Sequence, residues 1–160
     1  MSESPRIRPI DETDIEALVG LWLDFSREMA ALDDYNELAD GDLRGMQTKY
    51  RRDRLGDGDY QVFLAETDSA PVGYVTVEQR SSPPVFARGD ELHVPEVYVR
   101  EPRRGTGLAD RLLDRAVAWG RERGCERVSL SVNVDNDRAR GFYDRRGFEP
   151  RRLRLDRPLE

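Results

Sequence analysis

Arg104-Gly105-Thr106-Gly107-Leu108-Ala109 is a glycine turn that opens directly into a helix, and its surroundings decide the fold. Before it runs Leu92-His93-Val94-Pro95-Glu96-Val97-Tyr98-Val99, a strand-like segment; after it Leu108, Leu112, Leu113, Ala116, Val117 and Gly120 recur at helical spacing. The order is strand, turn, helix. Glycine at 105 and 107 removes side chains that would shield backbone N–H groups, and the helix N-terminus adds partial positive charge, so the turn suits a phosphate. The same glycines also serve a plain tight connection that needs positive φ, and a lone Gly-x-Gly does not separate the two readings.

Downstream, Arg123-Gly124 stops the helix and Arg127 to Val132 alternates as a strand, which predicts a parallel strand pair joined by a crossover. Asn136 or Asp135 then caps a helix containing Ala139, Phe142 and Tyr143 that ends at Gly147, and Phe148 to Leu155 reads as a last strand. Upstream, Arg6 to Ile10 reads as a short strand. Thr13 or Asp11 caps a helix whose apolar stripe runs from Ile15 through Trp22, Phe25 and Met29 to about Ala31. A second helix is expected from Leu43 to Arg54. Tyr60–Glu66 and Pro71–Glu78 form an antiparallel hairpin across the four residues 67–70, and Ser81 to Asp90, with Pro83-Pro84, is a longer connection.

A chain of 160 residues without a Pro/Gly/Ser-rich linker reads as one domain over residues 1–160. Hydrophobic residues make up 38% and no apolar run approaches the ~18 residues of a membrane span, so no membrane partner is expected. Met1 to Arg6 lacks the apolar core of a leader, which places the protein in the cytoplasm. Cys125 is the only cysteine, which excludes an internal disulfide and a cysteine-based zinc site; no metal is expected. The net charge of -6 argues against nucleic-acid binding, but the charge is segregated. Residues 31–42 carry Asp33, Asp34, Glu37, Asp40 and Asp42 with no base, whereas eight arginines lie in residues 138–157.

Pro95 stands inside what should be a central strand, where its missing N–H breaks the ladder, and a bulge or a local parting of strands follows. Parted parallel strands expose backbone groups beside the phosphate-type turn. The ligand that this geometry suggests carries a pyrophosphate at one end and a peptide-like arm at the other.

With these features together the sequence resembles the GNAT superfamily of acetyl-coenzyme A-dependent N-acetyltransferases. Arg104, Gly107 and Ala109 match its Arg/Gln-x-x-Gly-x-Gly/Ala signature, and Leu130 to Val132 through Asn136, Ala139, Tyr143 and Gly147-Phe148 resemble its second conserved segment. The resemblance covers essentially the whole chain. It implies an α/β fold with a central mixed sheet of six to seven strands, a splayed and bulged central strand and about four flanking helices. It further implies that Val97, Tyr98 and Val99 meet the pantetheine arm and that Arg103, Arg104, Gly105, Thr106, Gly107, Leu108 and Ala109 hold the pyrophosphate. Asn136 resembles the residue that caps the next helix and meets the cofactor arm, though a cap alone accounts for it.

The implied reaction is attack of a neutral amine on the thioester of acetyl-CoA through a tetrahedral oxyanion, with a backbone N–H near the bulge, that of Val97, as its stabiliser. Tyr143 matches the family tyrosine that protonates the departing sulfur; read without the family it is a core aromatic. Glu91, His93 and Glu96 all qualify as the base, with Glu96 and His93 favoured. His93 has the most suitable ordinary pKa, and the bulge leaves the strand faces undecided. The acceptor is expected to be a cationic small molecule or a peptide amine, recognised by the acidic connection, which reads equally well as a solvated loop. A homodimer is compatible with the resemblance. The alternatives are a non-catalytic acyl-CoA-binding sensor or interaction module, which Tyr143 argues against, and other nucleotide enzymes, which fail on residues. The only lysine is Lys49, far from any P-loop, and Asp110 stands where a dinucleotide fingerprint needs a small residue.

Overall fold

The computed structural model describes residues 4–160; Met1, Ser2 and Glu3, part of the stretch expected to lack a leader's apolar core, lie outside the described residues. In chain order the elements are β1 (Arg6–Pro9), α1 (Ile15–Leu32), α2 (Leu43–Arg54), β2 (Tyr60–Glu66), β3 (Pro71–Arg80), β4 (Glu91–His93), β5 (Val97–Val99), α3 (Leu108–Glu122), β6 (Arg127–Ser129) and α4 (Asp137–Arg145). Six strands form one sheet, ordered β1-β2-β3-β4-β6 with β5 beside β3, antiparallel except for the β4–β6 pair. This is the mixed sheet with four helices that the sequence implied.

Strand alternation sends side chains to two cores. Val62, Leu64, Tyr74 and Tyr98 pack with Leu18 and Leu21 of α1, while Phe63, Ala65, Val75, Val77 and Leu92 pack with Leu108, Leu112 and Ala116 of α3. Each such buried leucine contributes roughly 1.5–3 kcal/mol. Gly120 lets α3 close on β4, because a Cβ there would lie 2.9 Å from the Leu92 side chain. Asp11 accepts from the Thr13 N–H at 2.8 Å, so Asp11 rather than Thr13 caps the 3-10 turn Glu12–Asp14 that leads into α1. Asp14 returns a bond to the Asp11 N–H and accepts two from Arg8 at 2.7 and 2.8 Å, which ties β1 to α1.

The interruption at Pro95 is a bulge. His93 lies opposite Glu78 and Val97 opposite Val75, so three residues, Val94 to Glu96, face two, Thr76 and Val77. β4 and β5 are one strand split by that extra residue. On its other side only β4 is paired: the Val94 N–H reaches the Ser129 C=O at 2.9 Å, and beyond it β5 and the chain after β6 part.

Two elements differ from expectation. The strand expected to reach Val132 stops at Ser129, because past Pro95 its neighbour offers no ladder. Phe148 to Leu155 forms no strand. Its Arg/Leu alternation supplies a face but no partner, and Leu153 and Leu155 are 81% and 87% exposed.

Candidate active site

The glycine turn adopts the left-handed conformation that a tight connection requires, with φ of 76° at Gly105 and 84° at Gly107. Gly107 is also the N-cap of α3, and no side chain caps that end, whereas Asp42 and Asn136 cap α2 and α4. The first N–H groups of α3 therefore remain available to an external acceptor. The Thr106 hydroxyl donates to the Arg103 carbonyl and closes the turn.

The turn forms one end of a cleft of about 300 Å³ between β5, α3 and α4. Val97, Tyr98, Val99, Arg103, Arg104, Gly105, Gly107, Leu108, Ala109 and Asn136 all line it, as does Tyr143; Thr106 is the one expected cofactor residue that does not. The pairing of β5 with β3 uses the even-numbered residues, since Glu96 accepts from the Thr76 N–H and Arg100 donates to Val72. By alternation the N–H and C=O groups of Val97 and Val99 point away from β3 into the gap. Asn136 caps α4 by accepting from the Ala139 N–H at 3.2 Å, and it lines the cleft.

Arg104 does not project freely from the turn. Its Nε donates to the Val99 carbonyl at 3.0 Å and its Nη2 to Glu28 of α1 at 2.6 Å, and the Tyr98 hydroxyl also donates to Glu28 at 2.6 Å. Burial raises the Glu28 carboxyl, but the bonds from Tyr98 and Arg104 outweigh it and hold its pKa below the usual range. Cationic character in the cleft comes also from Arg138 and Arg145 of α4, which sequence reasoning passed over. Arg138 was within reach, since it lies inside the second motif between Asn136 and Ala139. Glu28 gave no signal beyond its place three residues after Phe25 on α1.

Tyr143 touches Phe142 and Phe148 edge-on, and burial pushes its pKa up to about 12. It is thus both a packed aromatic and a hydroxyl that keeps its proton at neutral pH.

The three base candidates occupy different places. The bulge cancels the expected alternation: Glu96 shares the α1/α2 face with His93, which lies opposite Glu78, itself reached by Arg54 of α2. His93 meets Ser129 through Nδ1 at 3.1 Å and lines neither the cleft nor a second cavity beside Glu96; burial lowers its pKa, helped by Arg80. Glu91, likewise outside both, sits in register with Arg80 and Arg127. Glu96 lines a second cavity of about 260 Å³ walled by Trp22, Phe25, Met29 and Leu38, and Phe25 and Met29 also wall the cleft.

Glu96 is held from behind by Arg51, a buried arginine that sequence reasoning missed. Arg51 Nη2 contacts both Glu96 oxygens at 2.9 and 3.1 Å, and the Tyr74 hydroxyl donates to Oε2 at 2.8 Å. Of the acidic connection only Glu37 lines this cavity. Asp33 accepts from the Tyr35 N–H and from Asn133, and Asp42 caps α2, so these two act as local caps rather than as part of a common acidic surface.

The Acetyltransferase (GNAT) family pattern matches residues 22–148. The chain belongs to that family. An uncharacterised N-acetyltransferase of Archaeoglobus fulgidus is 29% identical over 137 residues, 86% of this chain and 88% of that protein. One from Methanocaldococcus jannaschii is 31% identical over 91 residues, 57% of this chain; the chain spans about 40% of that relative's length. Among solved structures, a predicted acetyltransferase from Clostridium acetobutylicum with acetyl-CoA superposes with a TM-score of 0.76 over 97% of this chain and 96% of that one, at 22% identity. The mixed, bulged sheet is therefore the GNAT fold.

Proposed function

We propose that the protein transfers the acetyl group of acetyl-CoA to a primary amine. The observation that carries this reading is the parting of β5 from β6 over the Pro95 bulge, which opens a cleft running to the uncapped N-terminus of α3. The C. acetobutylicum neighbour was solved with acetyl-CoA, which supports the same cofactor here. The α3 N–H groups, with Arg103 and Arg138, suit the diphosphate, and the inward N–H groups of Val97 and Val99 with the Val97 C=O suit the amide-bearing arm. Arg104 contributes by pairing with Glu28 and fixing that wall of the cleft.

In the reaction the ammonium first loses a proton, for which Glu96 is the carboxylate in the adjoining cavity that shares Phe25 and Met29 with the cleft. The neutral amine attacks the thioester carbonyl, the C–N bond forms, and the oxyanion is met by the Val97 N–H. The C–S bond then breaks, the departing thiolate takes the Tyr143 proton, and the surplus proton on the new amide nitrogen restores the Tyr143 hydroxyl. The balance is ammonium plus acetyl-CoA giving amide, CoA thiol and one proton. The test is release of CoA thiol across a panel of amines and basic peptides. Amine-dependent release is expected; acetyl-CoA binding with no release for any acceptor would instead support the acyl-CoA-binding module.

A further inference from the structure

Arg51 is 2% exposed, yet it carries a full charge into the protein. Each of its three nitrogens donates, Nε to Gln47 at 3.3 Å, Nη1 to the Tyr60 hydroxyl at 2.9 Å and Nη2 to Glu96, while its guanidinium lies 5.9 Å from the Tyr74 ring centre. A buried ion pair is seldom more stabilising than apolar side chains of the same volume, so what this pair supplies is geometry. The geometry is specific. Glu96 Oε2 takes bonds from Arg51 and Tyr74 while Oε1 takes one from Arg51, which leaves a lone pair on Oε1. The Glu96 side chain is 19% exposed, and Glu96 lines the second cavity.

Trp22, Phe25, Met29 and Leu38 give that cavity apolar walls, Ser26 and Asn36 add neutral polar groups, and Glu96 and Glu37 carry its charge; among the described residues no basic side chain lines it. Phe25 stacks on Tyr98 at 5.5 Å and so stands as a fixed partition shared with the cofactor cleft. Its volume of about 260 Å³ admits a short alkyl or aryl stem. A polycation would need further carboxylates along the chain, but of the acidic connection only Glu37 lines the cavity, while Asp33 and Asp42 accept from the backbone N–H groups of Tyr35 and Gly45.

We propose that this cavity is the acceptor chamber, that it takes a single primary ammonium on a short apolar stem with Glu96 as its anchor, and that Arg51 is the positioning residue for Glu96. The proposal rests on the transferase reading above and narrows its acceptor. The ammonium meets Oε1 of a carboxylate that cannot swing away, while the stem replaces water against Trp22 and Met29.

The test measures thiol release with acetyl-CoA for phenethylamine, hexylamine and spermidine, in the native chain and in Glu96→Gln, Arg51→Met and Arg51→Lys. Loss of a charge-assisted contact is expected to raise the KM for phenethylamine roughly 10- to 100-fold in Glu96→Gln and Arg51→Met, with partial recovery in Arg51→Lys. The KM for acetyl-CoA stays within about two-fold, as expected for groups outside the cleft. Spermidine is the poorest of the three by kcat/KM. An unchanged phenethylamine KM in Glu96→Gln, which keeps the side chain's shape should Arg51→Met fail to fold, overturns the proposal; so does a preference for spermidine. If no amine is acetylated although acetyl-CoA binds, the transferase reading falls by itself. Calorimetric titration of phenethylamine into the CoA-loaded protein then decides the chamber: binding that Glu96→Gln weakens supports it, and absence of binding overturns it.

Discussion

At the scale of single residues, chemistry here depends on which side chains burial holds in one protonation state. Tyr143, raised to about 12 by burial, keeps its proton through the neutral range. Tyr143→Phe preserves the ring packing against Phe142 and Phe148 and removes only the donor, so turnover should fall by about 100-fold or more with acetyl-CoA affinity retained. Unchanged kcat would remove the hydroxyl from the mechanism. His93 is the opposite case, since burial favours its neutral ring and lowers its pKa from 6.5. The unfolded chain then binds the proton more tightly than the folded one. The stability that His93 contributes is full above about pH 6.5 and is lost as the pH falls below it. The urea midpoint of the native chain should drop between pH 8 and pH 5.5, and His93→Gln should flatten that drop; an equal drop in both would show that other groups are responsible. The sequence showed Tyr143 through its motif, whereas Arg51 was one of several arginines on a weak helix. Only the fold brings it to Glu96, 45 positions along the chain.

At the scale of elements, what was legible were segments whose pattern is local. The 3.6-residue stripes gave α1 and α3, the caps Asp11, Asn136 and Gly147 gave helix ends, and the β-rich runs gave the β2–β3 hairpin. What was not legible depended on partners. β6 is short because its neighbour breaks at Pro95, and the Phe148–Leu155 segment has the right alternation but no strand beside it. The bulge itself was announced by Pro95, but its consequence for the faces was not, because one extra residue reverses every later side chain. This gives a sharp prediction. Deleting Pro95 leaves Val94 opposite Val77 and Glu96 opposite Thr76, a regular register that keeps both side chains on their present faces. The variant should fold with unchanged far-ultraviolet circular dichroism, yet the strand should pair onward with the chain after Ser129 and close the gap. Acetyl-CoA affinity should then fall at least about ten-fold, the loss of one or two backbone hydrogen bonds to the cofactor arm. A folded deletion variant that binds acetyl-CoA normally would show that the parting of the strands is not what makes the site.

At the scale of the whole molecule, two layers packed on opposite faces of the sheet meet at the parted strands. The α3 layer brings the uncapped helix end and the turn, the α1/α2 layer brings Glu28, Phe25 and the Arg51–Glu96 pair, and α4 closes the cleft with Arg138 and Tyr143. The net charge of -6 concealed this local arginine lining, just as the acidic count of residues 31–42 concealed that Asp33 and Asp42 are caps. A ligand spanning the cleft would touch α1, β5, α3 and α4 at once, adding to direct ties such as Arg104 with Glu28 and Arg146 with Asp110 and Asp114, and it should stabilise the fold as a unit. At 100 times its dissociation constant acetyl-CoA would add about 2.7 kcal/mol. For a chain of this size that corresponds to a rise in Tm of roughly 5–11 °C. Because the arginines that line the diphosphate end are partly open to solvent, the rise should shrink as salt is raised from low ionic strength toward ~1 M, where charges are screened within about 3 Å. CoA should reproduce most of the shift, since the diphosphate and the arm are common to both, and dephosphorylated pantetheine should reproduce little of it. No shift with acetyl-CoA at millimolar concentration would sink the cofactor assignment, and an equal shift with pantetheine would place the binding energy in the parted strands rather than at the glycine turn.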